Sequence, residues 1–234
     1  MSLVHLDDLV LVSRRLEPLG VKFAFTGGAV VSFLLDNPTL PLPRQTTDVD
    51  AIVAVITRIQ YTDFEERLRR EAGFQNDTTE GAPLCRFIVE GVEVDVMPMR
   101  DPTGTFSDRW FEYALQTAAM RTLNGVSVWT VSASCFLATK LTAFKNRGLG
   151  DFLGSHDLED IVTVVDGRGT LYDELAEERE DLRTFVGVCI AGFLNSQQFL
   201  DALPGLLPPD IASQARLSLV TERLMLIASL AKVK

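Results

Sequence analysis

Two aspartates, two positions apart, stand at the start of an apolar run. The sequence reads Thr46-Thr47-Asp48-Val49-Asp50 and continues as AIVAVI. Side chains alternate along a strand, so Asp48 and Asp50 share one face. Neighbouring carboxylates repel each other unless a cation lies between them, and hard divalent cations prefer oxygen ligands. The spacing favours a divalent metal site over the alternative, a loop cap followed by an exposed strand start.

A second acidic strand offers a third carboxylate. In Val92-Glu93-Val94-Asp95-Val96, alternation places Glu93 and Asp95 on one face and the valines on the other. If this strand lies beside the one that begins at Asp48, Asp95 can complete a set of three carboxylates. The alternative is that both acids form the solvated face of an antiparallel strand. We prefer that alternative for Glu93, and for Asp95 the pattern leaves both open.

A glycine pair lies between an apolar strand and a short helical segment. In Phe25-Thr26-Gly27-Gly28 the two glycines allow the backbone to approach a phosphate closely. A tight strand-to-helix turn is the alternative, and it is the commoner explanation of a lone Gly-Gly.

The helix predicted over 134–147 carries two cations near its buried face. Leu137, Leu141 and Phe144 form an apolar stripe, and Lys140 and Arg147 lie seven positions apart on the side that adjoins it. Such cations can contact phosphates, Lys as a point charge and Arg as a bidentate clamp. The alternative is an ordinary surface pair whose stems cover apolar surface. The next helix begins near Ser155 and carries Asp157 and Asp160 in its first turns.

The hydrophobic periodicity predicts the elements that position these residues. Helices are expected at 3–16, 29–35, 108–120, 134–147, 155–165, 172–180, 182–201 and 210–233, with a further helix that begins at the Thr62-x-x-Glu65 capping box and ends near Gly73. Strands are expected at 21–25, 48–56, 84–89, 92–97 and 126–130. The prediction is an α+β fold, with a small mixed sheet and its flanking helices in residues 1–131 and an α-helical region in 132–234.

Composition narrows the functional classes. The 234 residues include three cysteines and two histidines and carry a formal net charge of −10. A multi-histidine metal site and a disulfide framework are therefore not expected, and the odd cysteine count suits a reducing cytoplasm. No apolar stretch is long enough to predict a membrane span. The acidic balance disfavours non-specific binding to nucleic acid.

The order of these motifs resembles the DNA polymerase β-type nucleotidyltransferase superfamily. Strand, Gly27-Gly28, helix, Asp48-Val49-Asp50, a Val-Asp-Val strand and Lys140-x₆-Arg147 follow one another as in that superfamily. The match looks closest to the AbiEii/MenT group of toxin-type nucleotidyltransferases, in which a later helix begins with Asp-x-x-Asp, here Asp157 and Asp160. The resemblance spans roughly residues 21–166.

The resemblance implies specific roles for these residues. Asp48 and Asp50 would ligate Mg²⁺, with two ions expected, and the pattern of the second strand leaves open whether Asp95 is a third ligand. Gly27-Gly28 would hold the triphosphate of an NTP, and Lys140 and Arg147 would bind phosphates. Either Asp157 or Asp160 would support the site. Because the turn reads Gly-Gly rather than Gly-Ser, a hydroxyl contact to phosphate must come from Thr26, Thr46 or Thr47. Arg44 ends a proline-rich loop that either reaches the nucleotide or is a solvated insert.

The implied activity is transfer of an NMP from an NTP to an acceptor hydroxyl, with release of pyrophosphate. One metal ion would activate the acceptor and the other would bridge the triphosphate. The resemblance implies a tRNA or other RNA acceptor and a toxin–antitoxin role with an antitoxin protein as partner. A small molecule, as in antibiotic nucleotidyltransferases, or a protein acceptor stays open. So does a non-catalytic nucleotide-binding module of the same fold.

Overall fold

The computed structural model describes residues 3–37, 43–100, 108–147 and 150–231, with the side chain of Arg147 outside the described part. The chain forms two compact units. Met1–Val30 and Gln45–Ser132 make the sheet unit, and Val31–Arg44 and Ala133–Lys234 make the helical unit. The sequence division into 1–131 and 132–234 places residues 31–44 with the sheet, whereas in the structure they group with the helices.

The sheet unit contains one mixed sheet, whose seven strands lie within the described ranges. In chain order they are β1 (Phe23–Thr26), β2 (Asp48–Val53), β3 (Gln75–Asn76), β4 (Arg86–Val89), β5 (Val92–Pro98), β6 (Ala119–Leu123) and β7 (Val126–Thr130). Across the sheet they follow the order β3-β4-β5-β2-β1-β7-β6. The β2–β5 and β1–β7 pairs are parallel, and the other pairs are antiparallel.

Helices flank the sheet and make up the C-terminal region. In chain order they are α1 (Leu6–Leu16), α2 (Val31–Leu34), α3 (Arg58–Glu71), α4 (Phe111–Gln116), α5 (Ala133–Arg147), α6 (His156–Gly167), α7 (Leu171–Glu177), α8 (Glu180–Leu194), α9 (Gln197–Ala202), α10 (Ile211–Gln214) and α11 (Leu217–Ser229). In the sheet unit α1 packs on β7, and α4 packs on β1 and β2. The expected α+β fold with a helical C-terminal region is confirmed. None of the helices, as far as they are described, is both long and apolar enough to span a membrane.

The burial of β2 explains its sequence. This strand lies between β5 and β1, so both of its edges are hydrogen-bonded, and its burial extends to both faces toward its C-terminal end. Val49 and Ala51, on the face opposite the two aspartates, are fully buried, and so are Ile52 and Val53. A strand in this position is continuously apolar where both faces are packed, and it tolerates acids only near its open end.

The helical unit has a core of its own. Leu137 and Leu141 are fully buried and Phe144 is nearly so, which confirms the predicted stripe. Phe144 belongs to an aromatic cluster with Phe152, Phe193 and Phe199, in which contacting ring centroids lie 5.2 to 5.9 Å apart.

One predicted helix is partly a strand. The helix expected over 108–120 is limited to Phe111–Gln116, and Ala119–Leu123 forms β6, which pairs with β7. The hairpin turn is Asn124-Gly125, with φ values of 49° and 76°. An Asn-Gly pair between two strands favours this turn, because both residues adopt positive φ at little cost. The pair was the signal for the missing strand.

Other helix boundaries also differ from the predictions. The helix expected to begin at Thr62 begins at Arg58, because Thr57 caps it and forms the capping box with Gln60. Thr62 Oγ1 instead donates to the carbonyl of Arg58 inside the helix. The helix expected over 182–201 is interrupted, because Ser196 caps the separate helix α9. The final predicted helix is likewise divided into α10 and α11.

Candidate active site

Strand register brings four sequence-distant polar residues into one row. Thr26 on β1 pairs with Asp50 on β2, Asp50 with Asp95 on β5, and Asp95 with Arg86 on β4. Directly opposed residues of neighbouring strands project from the same face of a sheet. Thr26, Asp50, Asp95 and Arg86 therefore share one face, in the middle of the sheet.

The next row on that face adds two more carboxylates. Asp48 pairs with Glu93, and each lies two positions before a member of the first row on its own strand. Asp48, Asp50, Glu93 and Asp95 thus form a patch of four carboxylates on the adjacent strands β2 and β5. This register makes the two acidic strands neighbours, which is the condition under which Asp95 can join Asp48 and Asp50.

A single arginine joins most of the patch. The guanidinium of Arg86 donates from Nη2 to Asp48 Oδ2 at 2.7 Å and to Asp95 Oδ2 at 2.9 Å. Its Nε donates to Asp95 Oδ1 at 2.7 Å, and its Nη1 donates to Glu93 Oε2 at 3.0 Å. The hydrogen bonds to Asp95, together with the nearby carboxylates, raise the pKa of Arg86 above its ordinary value. One guanidinium among four carboxylates leaves the patch with an excess of negative charge.

The glycine turn lies directly against Asp50. Gly27 has φ +70°, a conformation that side chains disfavour. A Cβ at this position would lie 1.8 Å from Asp50 Oδ2, so the carboxylate occupies the space that any side chain at position 27 would need. Gly28 follows as the first residue of a short 3₁₀ turn, Gly28–Val30. The turn thus gives the Asp50 carboxylate a place against bare backbone.

The segment before β2 is anchored at Thr46. The Val4 amide donates to the Thr46 carbonyl at 2.8 Å, and the buried Thr46 side chain donates to Asp48 Oδ1 at 3.0 Å. Thr47, between them, is half-buried. The Asp48 carboxylate is therefore oriented by a hydroxyl on one oxygen and by Arg86 on the other.

Burial and nearby negative charge keep the cysteine beside the patch in its thiol form. Burial, and then the charges of Asp95 and Asp50, raise the pKa of Cys85 to about 12. The thiolate is the reactive form of cysteine, and at neutral pH this thiol is almost entirely protonated. The chemistry of the patch rests on its carboxylates.

The helical unit contains a second, buried cluster of charges. Lys140 Nζ on α5 lies 3.1 Å from Asp157 Oδ1 and 2.7 Å from Asp160 Oδ2, both on α6. Arg44 Nε and Nη2 donate to the two oxygens of Asp160 at 2.9 and 3.1 Å. Two cations and two acids balance one another here. Asp157 and Asp160, between which the sequence does not choose as the supporting residue, both contact Lys140. The side chain of Arg147 lies outside the described part.

No family model matches the chain, and no curated protein matches it. Among solved structures, an antigenic nucleotidyltransferase-like protein from Paracoccidioides brasiliensis is 24% identical and superposes with a TM-score of 0.52, over 100% of this chain and 97% of that one.

The chain has a nucleotidyltransferase-like fold.

Two further structures are similar at lower scores. The antibiotic-resistance factor ANT(2″)-Ia is 12% identical with a TM-score of 0.44, over 68% of this chain and 82% of that one. A nucleotidyltransferase described as putative, from H. pylori, is 11% identical with a TM-score of 0.41, over 96% of this chain and 91% of that one.

Within this nucleotidyltransferase-like fold, Arg86 and Glu93 are the residues of the patch that the sequence prediction lacks. The signal for Arg86 was available. A two-residue turn at Glu90-Gly91 fixes the β4–β5 register, and counting back from it places Arg86 opposite Asp95. Glu93 was predicted to lie on the solvated face of the strand, but its carboxylate forms an ion pair with Arg86, and its side chain is only 22% exposed.

The arrangement bears directly on metal binding. In the part of the chain that the structure describes, no group of three or more His, Cys, Asp and Glu side chains stands ready to hold a metal ion. Asp48 and Asp95 both direct an oxygen to Arg86 Nη2, so a guanidinium nitrogen lies where these two carboxylates converge. The donor set itself is composed of oxygens, as Mg²⁺ requires.

Proposed function

We propose that the protein is a Mg²⁺-dependent nucleotidyltransferase that transfers an NMP from an NTP to an acceptor hydroxyl, with release of pyrophosphate. The observation that carries the proposal is the carboxylate patch. Asp48, Asp50 and Asp95 share one face of two parallel strands, and the Asp50 carboxylate abuts the bare backbone of Gly27. This arrangement supports a metal–triphosphate site on a fold that is nucleotidyltransferase-like.

Once the Arg86 guanidinium leaves the point on which Asp48 and Asp95 converge, the residues present supply oxygen donors for a divalent cation. Asp48, Asp50 and Asp95 would hold it, because they supply oxygen donors from neighbouring strands and their charges exceed the single charge of Arg86. When bound, Mg²⁺ would supply charge neutralisation for the triphosphate and for the departing pyrophosphate.

The chain's own residues would position the substrates. Thr46 and the backbone bond from Val4 hold the Asp48 carboxylate in a fixed orientation. Gly27, which lacks a Cβ, leaves space beside its backbone that the Asp50 carboxylate occupies, and the Gly27-Gly28 turn would hold the triphosphate beside that carboxylate. Little covalent chemistry is required of a protein in phosphoryl or nucleotidyl transfer, so positioning and charge would provide most of the catalysis.

The roles predicted for the helical unit stay predictions. Lys140, Arg44 and Arg147 are the residues proposed to contact phosphates, with Asp157 or Asp160 in support. In the structure Lys140 is buried and bonded to both aspartates. This favours Lys140 as a residue that positions the start of α6, and its variants must be examined for stability as well as turnover.

Two acceptor classes are supported by different observations. The sequence resemblance favours an RNA end, with a toxin-type role and an antitoxin partner as further predictions. The net charge of −10 favours a small hydroxylated molecule. Arginines that could attract RNA are engaged within the sheet unit: Arg67 contacts Glu71 and the Leu19 carbonyl, and Arg69 contacts Asn76.

The proposal is tested by incubating the protein with each NTP, α-labelled, in the presence and absence of total tRNA at physiological Mg²⁺. Label transferred to RNA, or to a small hydroxylated compound, with equimolar release of pyrophosphate supports the activity. Nucleotide binding without any transfer would identify the alternative, a non-catalytic binding module. Labelling of RNA should weaken with salt, with a slope of about 0.7 per phosphate contacted on a single strand, whereas transfer to a small molecule should change little.

A further inference from the structure

The guanidinium of Arg86 occupies the point on which two carboxylates converge. A single nitrogen, Nη2, donates to Asp48 Oδ2 at 2.7 Å and to Asp95 Oδ2 at 2.9 Å. Nε binds the other oxygen of Asp95, so the Asp95 contact is bidentate. The side chain of Arg86 is only 15% exposed, and that of Asp95 is 12% exposed. This is a mostly desolvated cation on carboxylates that the proposed function assigns to a metal ion.

A metal ion held by both carboxylates would compete with this guanidinium for the same space. Mg²⁺ binds oxygen at about 2.0–2.1 Å and demands near-octahedral geometry. A cation held by Asp48 and Asp95 would enter the region that Nη2 fills. It would also lie beside a positive charge in a setting that water screens only partly.

The third nitrogen gives the guanidinium a partner outside the metal set. Arg86 Nη1 donates to Glu93 Oε2 at 3.0 Å, and Glu93 is not among the residues assigned to the metal. Glu93, on β5, is opposite Asp48 on β2 and Ile88 on β4, at the edge of the patch. It can therefore retain the guanidinium when Asp48 and Asp95 release it.

We propose that Arg86 is a resident counter-ion that determines the metal affinity of this site: metal binding displaces its guanidinium from Asp48 and Asp95 while Glu93 retains it. The inference rests on the proposed function, because it takes these carboxylates as metal ligands. It makes Arg86 the counter-ion of the metal-free site and Glu93 the residue that retains the guanidinium, and neither residue belongs to the Asp48-Val49-Asp50 motif. The chain would hold its carboxylates together without metal and would bind free metal weakly.

The test measures metal binding directly. Titration of the full chain with Mn²⁺, followed by the electron paramagnetic resonance of the free ion, gives affinities for the wild type, Arg86→Gln and Arg100→Gln. Arg100 is the matched control, because it lies in the same unit, is exposed and pairs with Glu112 instead of the patch. We expect Arg86→Gln to bind Mn²⁺ about tenfold or more tightly than the wild type, since a unit charge a few ångströms from the ion is removed. Arg100→Gln should bind as the wild type does.

The outcomes separate this inference from the proposed function. Equal Mn²⁺ affinity in the wild type and in Arg86→Gln, with both affinities lowered by Asp48→Asn, overturns the role of Arg86 and leaves the metal site standing. Affinities that do not respond to Asp48→Asn overturn both. A wild-type crystal structure with Mn²⁺ tests the same point should Arg86→Gln fail to fold. In it Arg86 should contact Glu93 and neither Asp48 nor Asp95, and retention of all these contacts beside a bound ion would contradict the proposal.

Discussion

Oδ2 of Asp50 lies 1.8 Å from the position that a Cβ on residue 27 would take. The Asp50 carboxylate therefore fills the space that a side chain at position 27 would need. The two residues are brought together because Thr26 is in register with Asp50 on the neighbouring strand. A glycine at the end of β1 is therefore a condition for an aspartate at this point of β2.

Substitution of Gly27 by Ala should impair transfer more than it impairs folding. The positive φ costs about 1–3 kcal/mol for a residue with a side chain, and the added methyl displaces the Asp50 carboxylate. Gly125→Ala is the control, because Gly125 also has positive φ but has no atom near its missing Cβ. Unfolding by denaturant should show comparable losses of stability, with nucleotide transfer lost only in Gly27→Ala. Normal turnover in that variant would mean that the position of the Asp50 carboxylate is unimportant.

Asp48→Asn and Asp50→Asn should each abolish nucleotide transfer without unfolding the protein. The substitutions keep the shape of the side chain and remove its charge, and they reduce repulsion within an acidic patch. We expect turnover to fall by at least about a hundredfold, the scale for losing one preorganised electrostatic contact. Asp63→Asn, on the exposed side of α3, is the matched control. Wild-type turnover in either patch variant would show that the metal assignment is wrong.

Cys85 should make the protein less stable in alkali. Its pKa is raised from 9.0 to about 12 in the folded protein, chiefly by burial. The unfolded chain therefore loses the thiol proton first, and stability is lost as the pH rises from about 9 towards 12. The free energy of unfolding should fall by up to about 1.4 kcal/mol per pH unit from this group.

The measurement is denaturant unfolding at pH 8, 9.5 and 11 for the wild type and Cys85→Ala. The variant loses packing and should be less stable at pH 8, but its stability should decline less steeply with pH. Parallel declines would show that the thiol ionises alike in the folded and unfolded chains.

Lys140→Met should destabilise the helical unit strongly. The substitution removes the Lys140 contact from both Asp157 and Asp160. Asp160 keeps its contact with Arg44. Breaking one side of a buried ion pair costs about 3–5 kcal/mol. Lys145→Met, on the exposed side of the same helix, should have little effect.

A double variant distinguishes the ion pair from simple packing. In Lys140→Met with Asp157→Asn the carboxylate charge that Lys140 contacted is removed as well, so part of the lost stability should return in thermal unfolding. If the second substitution lowers stability further by its full independent amount, the two residues are not coupled.

The sequence was sufficient to predict which face of each strand carries the acids, but not which strands and side chains lie beside them. Alternation alone placed Asp48 with Asp50 and Glu93 with Asp95, because the period of a strand does not depend on its neighbours. The pairing of Asp50 with Asp95 joins β2 to β5 across 45 positions of chain, and local pattern does not encode such a partner. The position of Arg86 opposite Asp95 could be predicted by counting residues back from the hairpin turn. Its contact with Asp48 could be predicted only with the β2–β5 register as well.

Lys140 illustrates a different limit. Its position beside the apolar stripe was predicted correctly, and the same pattern fits a phosphate ligand or a buried ion pair. Only the placement of α6, which brings Asp157 and Asp160 to its ammonium group, shows which carboxylates it contacts.

Because residues 31–44 belong to the helical unit, the protein cannot be divided into two independent fragments at a single point of the chain. The backbone passes from one unit to the other at 30/31, 44/45 and 132/133, so neither unit is a continuous stretch of polypeptide. A fragment that ends at Ser132 would retain Val31 and Leu34, which are buried in the full chain, without the helix α6 on which α2 packs. Co-expression of the pieces 1–132 and 133–234 should therefore give a reassembled, non-covalent complex, whereas the first piece alone should aggregate through its uncovered crossover segment.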